Sequence, residues 1–250
     1  MRYFITIRYL GTRYCGWQRQ PNGLSVQQCL EEALSTVLRV SVSVVGAGRT
    51  DAGVHADKMI AHFDVESPLS DSTSVVRALN SLLPPDIAVY EIRRVQAEAH
   101  ARFDAIARRY RYTIVQRKDP MRMHTAARCG YGLNVERMNE AAALLLEYQD
   151  MTSFSKLHTD VKTNNCIVTE ARWECADDCQ LIFHISANRF LRNMVRAVVG
   201  TLLDVGRGRL SVDDFRKIIE ARDRSQASTS APAEGLSLVE IEYPASVWLD

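Results

Sequence analysis

The sequence predicts an α+β fold of two pseudo-repeated, ferredoxin-like halves with mixed or antiparallel sheets and a central basic cleft. Three observations carry that expectation. Hydrophobic periodicity switches between strand and helix spacing in the order β-α-β-β-α-β over residues 1–104. A similar alternation recurs over residues 105–250, without sequence identity between the halves. Arginines crowd into two stretches although the formal net charge is only +1.

Each element has a local reason. Arg2 to Leu10 alternates and reads as a strand. Ser25 to Leu38 reads as a helix, with Ser25 as N-cap and Gln28 at the capping-box position. Val26, Cys29, Leu30, Ala33, Leu34, Val37 and Leu38 share its apolar face. Val42 to Val45 and Met59 to Val65 are strand-like and flank a glycine-framed turn. Ser72 to Leu83 reads as a second helix with Val75, Val76, Leu79 and Leu82 inward, stopped by Pro84-Pro85. Asp86 to Val95 closes the first half as a strand. In the second half, Arg108 to Gln116 is the opening strand, and Asn134 caps a helix to Tyr148. Asn164 to Cys175 and Cys179 to Asn188 form a hairpin around Asp177-Asp178. Arg189 to Val205 and Ser211 to Arg222 are helices, and Leu236 to Tyr243 is the last strand.

At 250 residues, with 46% apolar and 24% charged side chains, the chain has the balance of an ordinary globular protein able to bury a core. Arg102, Arg108, Arg109, Arg111, Arg117, Lys118, Arg122 and Arg128 form one basic stretch, and Arg189, Arg192, Arg196, Arg207 and Arg209 another. Segregated charge of this kind can present a basic cleft to a polyanion. Several of these arginines can equally be solvated or paired on strand faces. The six cysteines are scattered without a Cys-x-x-Cys pair or zinc-like histidine spacing, as expected of reduced cytosolic thiols and no metal site. The N-terminus alternates and carries Arg8, so a strand is expected there and not a signal peptide. No apolar run approaches the ~18 residues of a membrane span.

Four segments are candidates for chemistry. Gly48-Arg49-Thr50-Asp51-Ala52-Gly53-Val54-His55-Ala56 sets one carboxylate on a tight turn with a cation two residues upstream. Gly48 and Gly53 suit unusual backbone conformations or close ligand approach. A structural turn, with Asp51 capping its own backbone and Arg49 solvated, fits the same pattern. In Ala107-Arg108-Arg109-Tyr110-Arg111-Tyr112, alternation sends Tyr110 and Tyr112 to one face and Arg109 and Arg111 to the other. Such a strand can stack bases and hold phosphates, or its tyrosines can fill a core. In Asn188 to Gly200, Arg192 and Arg196 are helical neighbours, and Arg196 sits among apolar residues, so it needs a carboxylate partner for structure or for function. Gly11-Thr12-Arg13-Tyr14-Cys15-Gly16-Trp17-Gln18-Arg19-Gln20 offers side chains for RNA contact, or a surface loop with a packed tryptophan.

These segments, with Arg222-Asp223-Arg224 and Ser228 to Leu236, resemble in order the five motifs of the tRNA pseudouridine synthase A family, from Ile5 to Leu238. The resemblance implies an isomerase that converts uridine to pseudouridine in the anticodon stem-loop of tRNA, at positions 38, 39 and 40. It implies that Asp51 is the catalytic residue, as nucleophile or base, and that Arg196 of Met194-Val195-Arg196 pairs with it. Arg49 would favour the ionised carboxylate and contact substrate, Tyr110 would stack on the target base, and Arg109 and Arg111 would hold RNA. A cytoplasmic homodimer with tRNA as partner follows, without membrane, cofactor or metal. A non-catalytic RNA-binding protein on a ferredoxin-like sheet is the alternative; it leaves a carboxylate in a basic setting unexplained. A metal-dependent nuclease would want several clustered acids. Asp104 and Asp160 are competing acids without the glycine frame of Asp51.

Overall fold

The computed structural model describes residues 1–156, 163–177 and 179–249, so Asp160 and Asp178 lie outside the described residues. The architecture is α+β with five α-helices and a mixed sheet among the described residues. The chain divides into two compact units, Met1–Ile106 with Leu238–Asp250, and Ala107–Ser237.

The first unit holds β1 (Arg2–Tyr9), α1 (Val26–Leu38), β2 (Val45–Gly46), β3 (His55–Asp64), α2 (Ser72–Leu82) and β4 (Ile87–Arg94), the element order expected for this half. β1 lies between β4 and β3, antiparallel to both, and the two-residue β2 pairs with β3. Tyr3, Ile5, Ile7 and Tyr9 share one face of β1 and are all buried, as the period of two requires. In α1, Val26, Leu30, Ala33 and Leu34 are buried while Cys29, Val37 and Leu38 are half-buried. Burying Leu30 and Leu34 stabilises the unit by about 1.5–3 kcal/mol each. Ser25 Oγ accepts from Gln28 N at 3.2 Å, but the Gln28 side chain donates to Glu32 instead, so only half of the capping box forms. In α2 only Leu79 is buried; Leu82 is exposed, and Leu83, just past the helix end, is buried in its stead.

The second unit holds β5 (Ala107–Val115), β6 (Ala127–Arg128), α3 (Val135–Ala143), β7 (Val168–Asp177), β8 (Gln180–Ala187), α4 (Met194–Gly206) and α5 (Val212–Ala221). β8 runs antiparallel between β5 and β7, and β6 pairs parallel to β5. Tyr112, Phe183 and Trp173 are in register across the three strands and form a buried aromatic row. α3 ends at Ala143 and tightens into a 3₁₀ turn, Leu144–Leu146, short of Tyr148.

Two expectations are corrected here. The helix read from Arg189 begins only at Met194, because Asn193 adopts a left-handed φ of 64° that an α-helix cannot contain. Arg192 therefore precedes α4 and is not a helical neighbour of Arg196. The last strand, β9 (Leu236–Glu242), was expected to close the second half but lies beside β3, and from Leu238 the chain belongs to the first unit. The reason is Phe4, on the other face of β1, which is covered by Tyr243 and Trp248 at ring separations of 5.1 and 5.7 Å. Gln96 N also donates to Val247 O at 3.1 Å.

Candidate active site

Residues 47–54 form the loop between β2 and β3. Its base is closed by Ala47 N donating to Ile60 O at 2.8 Å, and its tip by Val54 N donating to Asp51 O at 3.1 Å. Gly53 has φ of 80°, which only glycine adopts without strain. Gly48 needs no special conformation, and a Cβ there would meet nothing within 4 Å, so the fold itself does not require a glycine at this position. Asp51 is half-buried and Arg49 is exposed. Thr50, between them, is buried, its Oγ1 bonded to the Tyr9 hydroxyl at 2.8 Å. Asp51 thus stands on a tip anchored by the residue just before it.

The opening segment is the second wall of this loop. Trp17 N donates to Thr50 O at 3.2 Å, and Gly53 N donates to Tyr14 O at 3.3 Å. Gly16, at φ of 104°, lies so close that a Cβ would meet Thr50 O at 2.5 Å. Gly11 N donates to His55 Nδ1 at 2.9 Å, which leaves Nδ1 as that ring's unprotonated nitrogen. Trp17 is buried against Gly46, where a side chain would collide with the indole, and stacks on Tyr9. The packed-tryptophan reading therefore holds for Trp17. Arg13 is committed to Asp86: its Nε donates to Oδ2 at 2.6 Å, while the Tyr14 hydroxyl donates to Oδ1 at 2.6 Å. Burial alone would raise the Asp86 pKa, but these two bonds outweigh it and hold the carboxyl below its ordinary value. Burial, then the bond to Asp86, pushes the Tyr14 phenol up.

Tyr9, Tyr14, Thr50, His55 and Asp86 were missed as site residues. The only local signal for Asp86 is its position after Pro84-Pro85, which reads as a strand start. Asp104 is occupied in a turn, its Oδ2 accepting from His100 N at 2.7 Å. Among the described residues no group of three or more His, Cys, Asp and Glu side chains could hold a metal ion, and none of the six cysteines is in a disulfide.

In the second unit the two tyrosines of β5 part company. Tyr112 is fully buried and its hydroxyl donates to Pro232 O at 2.8 Å; burial raises its pKa. Tyr110 is half-buried, with the Phe190 ring edge-on at 5.1 Å. On the alternate face, Arg109 Nε donates to Ser186 Oγ at 3.1 Å and pairs with Glu170 at 3.6 Å, and Arg111 is half-buried.

Arg196 projects from the first turn of α4 and is half-buried; its Nε donates to Ala231 O at 2.7 Å. In return, Ala231 N donates to Arg196 O at 2.8 Å. Residues 223–235, which composition alone would read as a linker, form a strap on α4 and β5. Gly200 admits it, since a Cβ there would meet Thr229 O at 2.0 Å. Ser228 N donates to Thr201 Oγ1 at 3.2 Å, and Gly235 packs on the Tyr112 ring.

Among the described residues no helix is long and apolar enough to cross a membrane. A family model described as tRNA pseudouridine synthase matches residues 5–104 and 141–244, spanning Arg49, Asp51 and Arg196 but not the Tyr110 strand. The chain is 57% identical over 247 residues to tRNA pseudouridine synthase A of Bacteroides fragilis, covering 99% of this chain and 98% of that protein. It is also 57% identical over 251 residues to the enzyme of that name from Porphyromonas gingivalis, covering 99% of each. Against tRNA pseudouridine synthase A of Exiguobacterium sibiricum, identity is 41% over 246 residues and 98% of each chain. With its first-unit topology, its anchored Asp51 loop and similarity along nearly its whole length, the chain belongs to the tRNA pseudouridine synthase family.

Proposed function

We propose that this protein isomerises uridine to pseudouridine in the anticodon stem-loop of tRNA, at positions 38, 39 and 40, with Asp51 as the catalytic residue. The observation that carries this reading is Asp51 itself: a half-buried carboxylate on a tip whose neighbours Thr50 and Gly53 are bonded into β1 and the opening segment. A group fixed in this way meets a reacting atom without further ordering cost.

The reaction breaks the N1–C1′ bond, turns the uracil, joins C5 to C1′ and releases the C5 proton, while N1 takes up a proton. A stacked uridine must first leave the helix, at a cost of a few kcal/mol. Tyr110, braced by Phe190, stacks on the released base, and Arg49, Arg109 and Arg111 hold RNA. Asp51 acts on the ribose or on the base as nucleophile or base, and must be ionised to do either. Arg196 is its partner in that role, with Arg49 adding to the local positive potential. We extend the reading to a cytoplasmic homodimer of pseudo-repeated halves with a basic cleft for tRNA. The chemistry is redox-neutral and transfers no phosphate, so it calls for no redox cofactor or nucleotide.

The test is release of tritium from C5-labelled uridine in unmodified tRNA. Wild-type protein is expected to release it, and Asp51→Asn to bind tRNA with little change yet release none. Release by Asp51→Asn at a rate near wild type would overturn the role of Asp51. No release by either protein would favour the non-catalytic RNA-binding alternative.

A further inference from the structure

Asp86 stands 35 positions from Asp51 in the sequence, yet it anchors the segment that holds the Asp51 loop. Its backbone carbonyl accepts from Leu10 N at 2.9 Å, its Oδ2 from Arg13 Nε and its Oδ1 from the Tyr14 hydroxyl, both at 2.6 Å. One residue therefore binds three successive points of the opening segment, at the end of β1 and just beyond it. That segment in turn grips the catalytic loop at Gly53 through Tyr14 O and at Thr50 through Trp17 N. Tyr14 joins both halves of the relay: its side chain is tied to Asp86 and its backbone carbonyl to Gly53. The Asp86 side chain is only 13% exposed and Tyr14 is buried, whereas the Arg13 side chain is 63% exposed, so the Tyr14 bond is the tether that water replaces least easily. Gly11 and Gly16 pack against the Val54 and Thr50 carbonyls so closely that neither position admits a Cβ. A shift of the opening segment is thereby transmitted to the loop rather than absorbed in a gap.

We propose that Asp86 is a positioning residue for the catalytic loop: through Arg13 and Tyr14 it sets the place of Asp51 without touching substrate. The proposal rests on the reading of Asp51 as the catalytic residue. Its consequence is a defect in turnover rather than in RNA capture. The Asp86 carboxylate is spent on Arg13 and Tyr14, whereas the reacting carboxylate must be held to a fraction of an ångström.

The experiment compares Asp86→Asn, Tyr14→Phe and the double variant with wild type and Asp51→Asn, by single-turnover tritium release and by tRNA binding. In Asp86→Asn the amide oxygen can still accept from Tyr14, but the NH₂ faces the Arg13 donor, so one bond is lost and the shape kept. Turnover is expected to fall about tenfold to a hundredfold, with tRNA affinity within about twofold of wild type. Tyr14→Phe should fall similarly, and the double variant little further, because both changes cut one tether. Thermal unfolding checks that each variant is folded, and Tyr14→Phe, which leaves the Arg13–Asp86 pair in place, covers a failure of Asp86→Asn to fold. Wild-type turnover in folded Asp86→Asn and Tyr14→Phe, beside an inactive Asp51→Asn, would overturn the positioning role alone. Equal losses in turnover and affinity would also overturn it, assigning Asp86 to the fold or to RNA contact. An active Asp51→Asn would instead sink the reading of the site on which the proposal rests.

Discussion

Tyr110 and Tyr112 are two residues apart and identical in chemistry, and strand alternation puts both on one face. Only burial tells them apart. Tyr112 sits over Gly235 and opposite Phe183 in the core, while Tyr110, nearer the strand start, keeps part of its ring open beside Phe190. Substitution should separate them further. Tyr110→Phe keeps the ring and tests the hydroxyl; Tyr110→Ala removes stacking worth about 1–3 kcal/mol and should cut kcat/KM at least about fivefold. If both variants turn over tRNA like wild type, Tyr110 is a packing residue as Tyr112 is. The same logic sorts the arginines. Arg13 is bound to Asp86, and Arg109 shares Glu170 with Arg172, whereas Arg49 is exposed on the Asp51 loop.

Among the elements, α4 and the strap of residues 223–235 form one working piece. α4 is apolar nearly all round, with Val195, Val198, Val199, Leu202 and Leu203 buried, which marks a central helix. Gly200, one of its two glycines, is where the strap crosses, with Thr229 O against the helix backbone. The strap then meets Arg196 through Ala231 on both sides of the residue. Gly200→Ala should therefore displace the strap or strain the helix, costing about 1–3 kcal/mol and lowering Tm. It should also loosen Arg196 and open residues 223–235 to limited proteolysis. Unchanged Tm and unchanged proteolysis would show that the strap yields without cost. The short β2 has a similar meaning: two residues of pairing suffice because Ala47 N–Ile60 O and Trp17 against Gly46 hold that arm of the loop.

For the whole molecule, the relevant quantity is charge over distance. A net charge of +1 cannot draw a polyanion by itself, so binding must come from local clusters. If those around Arg102–Arg128 and Arg189–Arg209 meet phosphates, tRNA affinity should fall steeply with salt, each neutralised phosphate contributing close to one unit of slope. The homodimer reading adds that sedimentation should give twice the mass of one 250-residue chain, with and without tRNA. Affinity flat in salt would remove the arginine clusters from the RNA interface. A fully active monomer would remove the dimer, and neither result would touch the chemistry assigned to Asp51.

The sequence by itself determined the α+β class and the element order of the first unit. Those depend on local periodicity, turn glycines and capping residues, all of which act within a few positions of one another. By resemblance to a family, rather than by local pattern, the sequence pointed to the Asp51 and Tyr110 segments as the site. It also left open which tyrosine is core and whether Trp17 is packed, because alternation assigns a face without saying what covers it. Tertiary structure decided these, as it decided the late start of α4, where one left-handed asparagine overrides a continuous apolar pattern. It alone brought Asp86 to Tyr14, Tyr9 to Thr50 and the C-terminal Trp248 to Phe4, contacts spanning tens to hundreds of residues. Such contacts leave no periodic trace in a single chain. They form because a buried hydroxyl, carboxylate or ring must find a partner once water is excluded, and only the folded arrangement says which partner is within reach.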